Sequence, residues 1–142
     1  MAYLTLFGWS FFAATIVPLG SEPALVVLVR RELPFWPLVL IATLGNYLGA
    51  CTTYWLAKAA TRALHNRAAA SDMPRAGAAA RATRLMASRG APILLLSWVP
   101  ILGDALVAAA GVAGTPFVSF SAWTIAGKFL RYLAVAWAAS AL

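Results

Sequence analysis

Val17-Pro18-Leu19-Gly20-Ser21-Glu22 and Val99-Pro100-Ile101-Leu102-Gly103-Asp104 are two versions of one interrupted apolar segment. From Pro18 to Pro100 the offset is 82. The same offset carries Pro34-Phe35 onto Pro116-Phe117, Gly45 onto Gly127 and Leu48 onto Leu130. Each copy is an apolar run, a proline–glycine break followed by one acid, a short apolar run, a Pro-Phe start and a long apolar stretch. Proline removes an amide donor and, with glycine, ends a helix, after which Ser21 or Glu22 can cap the next one. A repeated, broken, acid-bearing hydrophobic segment is a sequence pointer to a binding site near the middle of a bilayer.

Composition agrees with a membrane setting. Of 142 residues, 63% are apolar and 11% charged, where a soluble domain has roughly half and a quarter. Mean hydropathy is +0.82. Trp36 to Ala57 holds no charged residue, a run long enough to cross a hydrocarbon core of roughly 30 Å at about 1.5 Å per residue. The size is that of a single domain, 1–142. Within it the spacing predicts a first repeat over about 3–58, a basic linker over 59–90 and a second repeat over about 91–140.

The net charge of +7 is unevenly placed. Lys58, Arg62, Arg67, Arg75, Arg81, Arg84 and Arg89 crowd the central segment against Asp72 alone, without aromatic residues for stacking on bases. That excludes a nucleic-acid surface. A short basic loop between membrane segments instead marks the cytoplasmic side, beside anionic headgroups. Cys51 is the lone cysteine, so no intrachain disulfide forms. Residues 1–18 lack a basic leader region, and no cleaved signal peptide is expected.

Tyr3 to Val17 and Pro23 to Val29 are each too short to cross alone. We read them as a re-entrant helical hairpin turning at Pro18 and Gly20, the alternative being one kinked helix from Tyr3 to Val29. Pro34 opens the first full crossing, which ends near Lys58. The linker is either a basic amphipathic helix on the cytoplasmic surface or a solvated loop. Pro92 to Val99, a break over Pro100 to Gly103, and Asp104 to Val112 repeat the hairpin, and Phe117 to about Ala138 makes the second crossing. One crossing precedes the second copy, so that copy is inverted and the two tips approach mid-membrane from opposite faces. Both termini then lie outside, with Arg30 and Arg31 the features that oppose this orientation.

Apart from the linker and the Arg30-Arg31-Glu32 turn, four charges remain: Glu22, Asp104, Lys128 and Arg131. The acids sit at the tips. Lys128 and Arg131 sit in the last crossing, one turn apart on one face. Uncompensated, four such charges cost about 10–14 kcal/mol at roughly 2.5–3.5 each. Pairing across the repeats or a water-filled cavity removes that cost. Desolvated beside an apolar wall, Glu22 or Asp104 can exchange a proton. Lys128 and Arg131 can serve as countercharges or receive a lipid phosphate. A purely structural pair of salt bridges is the competing interpretation. Asn46 aligns with Lys128 and reads as a helix–helix hydrogen bond or a ligand contact. Tyr54, Trp55, Tyr132 and Trp137 read as interface anchors. His65 has no neighbours at metal-ligand spacing; neither metal nor cofactor is expected, and no catalytic set appears.

The stretches Ala13 to Glu22, Ala42 to Ala50 and Tyr54-Trp55-Leu56 resemble the first half of the DedA/VTT family, also called the SNARE-associated Golgi protein family. Ser97 to Asp104, Ala110-Gly111, Pro116-Phe117 and Gly127 to Tyr132 resemble its second half, closest to the short bacterial YqaA-like branch. The resemblance implies two re-entrant helices, an inverted repeat and residence in the bacterial inner membrane. It also implies movement of lipids such as undecaprenyl phosphate or phospholipids, with dependence on the proton gradient. Carried over by position, the first-motif acid is Glu22 and the second-half Ala-Gly is Ala110-Gly111. The family's arginines about the second proline, as in Arg-Phe-x-Pro-x-x-Arg, are absent from Trp98 to Gly103. Lys128 and Arg131 are the cations left to replace them. The expectation is therefore an all-α membrane transporter or scramblase for an anionic lipid, with membrane lipids as partners and self-association compatible with its small size. A non-transporting scaffold and a small-solute or drug exporter are the alternatives.

Overall fold

The computed structural model describes residues 1–14, 22–68, 84, 86, 88–99 and 101–141. Pro18, Gly20 and Pro100, three of the expected break residues, lie outside these, as does 69–83 of the linker. All regular structure among the described residues is helical. The order is α1 (Ala2–Ala13), α2 (Glu22–Arg30), α3 (Phe35–Ala68), a 3₁₀ helix (Ala91–Trp98), α4 (Leu102–Ala113) and α5 (Phe117–Ser140).

Local chemistry sets these limits. Glu22 in the first turn of α2 and Arg30 in its last oppose the helix dipole at both ends. Pro34 and Pro116 stand immediately before α3 and α5, where a missing amide donor costs nothing. α4 ends in a Schellman-type cap: Gly114 is left-handed (φ 67°), and the Thr115 amide donates to the Ala110 carbonyl at 3.0 Å. α3 does not stop near Lys58 as expected but continues to Ala68, because the alanines, leucine and arginines of 59–68 are strong helix formers. The linker thus begins as a helical extension beyond the apolar stretch.

The arms before the two breaks differ in kind. α1 is an α-helix of 12 residues, whereas the segment from Ala91 is a 3₁₀ helix of 8. At about 2.0 Å per residue against 1.5 Å, the two reach nearly the same length, about 16 and 18 Å. Gly103 also departs from the sequence expectation. It lies within the first turn of α4, and the turn is made by Ile101, a β-branched residue at φ 66°. Such a residue stores about 1–3 kcal/mol of strain. Gly103 instead permits close packing, since a Cβ there would collide with the backbone of Ser97. Gly103→Ala should therefore lower the stability of the detergent-solubilised protein by about 1–3 kcal/mol. Gly8→Ala, in a helix with nothing near its Cβ, should raise it by about 0.5–1 kcal/mol. Thermal unfolding of both variants measures the contrast.

α1 packs along α3 and the 3₁₀ helix along α5, while α4 packs on α3 and α2 on α5. α3 and α5 run antiparallel against each other. Near one end Tyr54 stacks on Phe120 with centroids 4.4 Å apart, and midway Asn46 meets Lys128. Towards the other end Val39 and Ala42 share a cluster with Tyr132 and Ala136. Glycines permit the closest approaches: a Cβ on Gly45 would lie 2.6 Å from the Phe7 carbonyl oxygen, and one on Gly127 2.6 Å from Ser97 Oγ. Small residues at helix contacts matter where lipid, as apolar as the side chains, supplies no hydrophobic drive to helix association.

Polarity is distributed inside out. Trp36, Leu40, Leu44 and Leu48 form an exposed apolar stripe on α3, while Ser10, Asn46, Thr124 and Lys128 are buried. An exposed apolar stripe of this extent fits a lipid-facing surface. Phe35–Ala63 is long and apolar enough to cross a membrane by length and composition. α5, with 24 residues, spans about 36 Å. Its apolar character is diluted by Lys128 and Arg131. Tyr54 and Tyr132, expected as interface anchors, are instead fully buried in the two core clusters, whereas Trp55 and Trp137 are exposed.

Candidate functional site

The polar groups gather where α3 and α5 cross. Arg131 forms an ion pair with Glu22, joining the middle of α5 to the first turn of α2, with the two side chains only 14% and 26% exposed. One turn earlier, Lys128 is 2% exposed, and its Nζ donates to Asn46 Oδ1. Asn46 Nδ2 in turn donates to the Ser10 carbonyl at 3.2 Å. A single chain of hydrogen bonds therefore ties α5 to α3 to α1. Asp104, in the first turn of α4 and partly buried, lies within electrostatic reach of Lys128, as does Cys51. Among the described residues no hydrogen bond or ion pair closes on Asp104.

All four charges singled out in the sequence are thus gathered on or beside α5. They divide into two unequal pairs. Glu22 and Arg131 are closed on each other. Asp104 and Lys128 interact through the Coulomb field, while the ammonium commits a hydrogen bond to Asn46. In a medium of low dielectric both arrangements offset the cost of burying charge. Both acids also sit in the first turns of helices, whose free amides and dipole favour negative charge.

Further polar groups line the same crossing. Tyr47 Oη donates to Ser121 Oγ at 2.7 Å, and Ser97 Oγ reaches the Thr124 carbonyl at 3.4 Å. The hydroxyls of Ser10 and Thr124 are buried without a hydrogen-bond partner among the described residues. Leaving such a group unsatisfied costs about 1–3 kcal/mol. Ser10, Tyr47, Ser121 and Thr124 did not emerge from the sequence. The one available hint was Thr124, one turn before Lys128 and so on its face. Among the described residues, no group of three His, Cys, Asp or Glu side chains comes together to hold a metal.

A family model, the VTT domain, matches residues 17–141, which takes in every charged group of this site. The chain belongs to the VTT (DedA) family. Relatives agree along most of its length. It is 35% identical over 140 residues to the inner membrane protein YqaA of Escherichia coli, covering 96% of this chain and 89% of that protein. The same values hold for YqaA of Shigella flexneri. An uncharacterized protein of Haemophilus influenzae is 34% identical over 138 residues, covering 89% of this chain and 80% of its own length. No solved structure matches. This VTT protein is therefore of the YqaA-like branch and resides in the bacterial inner membrane.

Proposed function

We propose that this VTT protein moves an anionic lipid, a polyprenyl phosphate or a phospholipid, across the inner membrane as a transporter or scramblase linked to protons. The observation that carries the reading is the gathering of Glu22, Asp104, Lys128 and Arg131 at one buried crossing, with a direct ion pair at one side and Asp104 not closed at the other. Intramembrane charges are costly enough that a function is their default explanation. Arg131 and Lys128 are the cations for a phosphate headgroup, and Asp104 is the acid free to exchange a proton.

The proposal includes an inverted repeat of two re-entrant hairpins, whose acids Glu22 and Asp104 come to this crossing. Two features support it. Asn46 and Lys128, bonded to each other, are separated by 82 positions, the offset of the sequence repeat. The two core clusters are related by that offset as well. Leu25 and Leu38 share one with Tyr132 and Ala136, while Val107 and Phe120 share the other with Ala50 and Tyr54. Antiparallel contact between equivalent helices is what a pseudo-two-fold axis in the membrane plane requires. The basic segment beyond Lys58 then faces the cytoplasm, with anionic headgroups rather than nucleic acid as its neighbours. No enzymatic step enters the proposal, and self-association would thicken the wall around the pathway.

Purified protein in liposomes should move a fluorescent anionic lipid between leaflets faster than protein-free liposomes do. A rate equal to the protein-free background overturns the proposal. One observation favours a second reading, a non-transporting scaffold: the direct closure of Glu22 on Arg131 is also what a structural clamp needs. A small-solute exporter would instead show uptake of solute driven by pH, with no lipid movement.

A further inference from the structure

Thr115, at the corner between α4 and α5, joins two features at the basic end of the molecule. Its carbonyl accepts a hydrogen bond from Tyr54 Oη at 2.6 Å, and that oxygen accepts one from Lys58 Nζ at 3.3 Å. Thr115 also forms part of the wall of a partly open cavity of about 430 Å³, together with Met86, Ala91, Ala113, Pro116 and Ser119. That volume falls within the range of about 300–1,000 Å³ in which small-molecule sites lie. Its lining is mainly apolar.

Basic residues stand next to the lining of this apolar hollow, through the Tyr54 hydroxyl or along the chain. The Lys58 ammonium is held 5.4 Å over the Tyr54 ring and 5.1 Å over the Trp55 ring, and Trp55 leans against Phe117 at the start of α5. Arg89 immediately precedes Gly90, which completes the cavity wall, and is exposed. Arg84, also exposed, stands just before Met86. The acids among the described residues are Glu22, Glu32 and Asp104, and none borders the hollow; Asp104 sits at the opposite end of α4 from Ala113. A cation held beside a half-exposed tryptophan where an apolar stretch gives way to basic residues suits headgroup level.

We propose that this cavity seats one anionic phospholipid, an acyl chain lying against Ala91, Ala113 and Pro116 and its phosphate between Lys58 and Arg89. The seat is separate from the charges at the α3–α5 crossing, and its occupancy does not depend on whether the protein moves lipid. A zwitterionic lipid brings the same chain but adds a cation next to Lys58 and Arg89, so the seat selects by headgroup charge.

Native mass spectrometry of the full chain in detergent, titrated with phosphatidylglycerol or phosphatidylcholine of identical chains, tests this. The Lys58-dependent seat should bind one phosphatidylglycerol roughly tenfold or more tightly than phosphatidylcholine, as two surface cations allow. Lys58→Gln should weaken phosphatidylglycerol about fivefold and leave phosphatidylcholine unchanged, whereas Arg30→Gln, at the end of α2, should change neither. Ser119→Trp should abolish the site by filling it. Ala113→Leu is the milder filling variant should the tryptophan disturb folding, as read by circular dichroism. Equal affinity for the two lipids, or undiminished phosphatidylglycerol binding in the filled variants or in Lys58→Gln, overturns the proposal.

Discussion

Alanine at Arg131 should reduce lipid movement in liposomes to the protein-free rate while leaving folded protein. The substitution strips Glu22 of its cation where both side chains are mostly buried. Removing one partner of a buried pair costs about 3–5 kcal/mol, and the residual exposure of this pair places it at the lower end. Set against a typical stability of about 5–15 kcal/mol, that lowers the thermal midpoint without abolishing the fold. Exchange of the charges, Glu22→Arg with Arg131→Glu, restores their attraction but sets a cation in the first turn of α2, where the helix dipole opposes it. Most of the lost stability should return. Lipid movement should not, because the proposed headgroup contact requires the guanidinium on α5. Recovery of both would make the pair a clamp only. Wild-type movement in Arg131→Ala would remove that residue from the mechanism.

Lys128 carries the second large effect. Lys128→Ala empties a fully buried site and leaves both the Asn46 carbonyl and Asp104 facing no cation. Large-to-alanine truncation costs about 2–5 kcal/mol, and leaving the buried Asn46 carbonyl unpaired about 1–3 more. Their sum overlaps the whole stability of a domain, so little monodisperse protein should survive extraction. Lys128→Met with Asp104→Asn keeps the volumes and removes both charges. Neutral replacement of a buried pair is often neutral or stabilising. The double variant should therefore elute as folded protein with a midpoint near wild type. It should also have lost any response of lipid movement to an imposed pH gradient. Retention of that response would assign proton exchange to a group other than Asp104.

Part of this site was legible in the sequence because charge is so scarce in the apolar stretches. Glu22, Asp104, Lys128 and Arg131 stand out by type alone, and a cost of several kcal/mol for each demands partners. The alignment of Asn46 with Lys128 also followed from spacing, though not that the two would bond to each other. Which acid joins which cation was not legible. Arg131 closes on Glu22 from the other copy, while Lys128 turns to Asn46, and only the path of α2 and the rotation of α5 decide that. Tyr54 and Tyr132 show the opposite failure. Their amphipathic rings suit a membrane interface by composition, yet antiparallel packing of α3 and α5 buries both.

The amino-acid sequence by itself determined the medium, the helical class, the family and the identity of the costly groups. Each of these follows from local quantities: apolar run length, helix-breaking residues and the presence of charge in oil. Tertiary structure decided the rest. It made Gly103 a point of close packing rather than a break, and gave the second turn to Ile101. It also gathered four charges drawn from three helices at one crossing, because direction and depth are set by helix packing, which no single segment encodes.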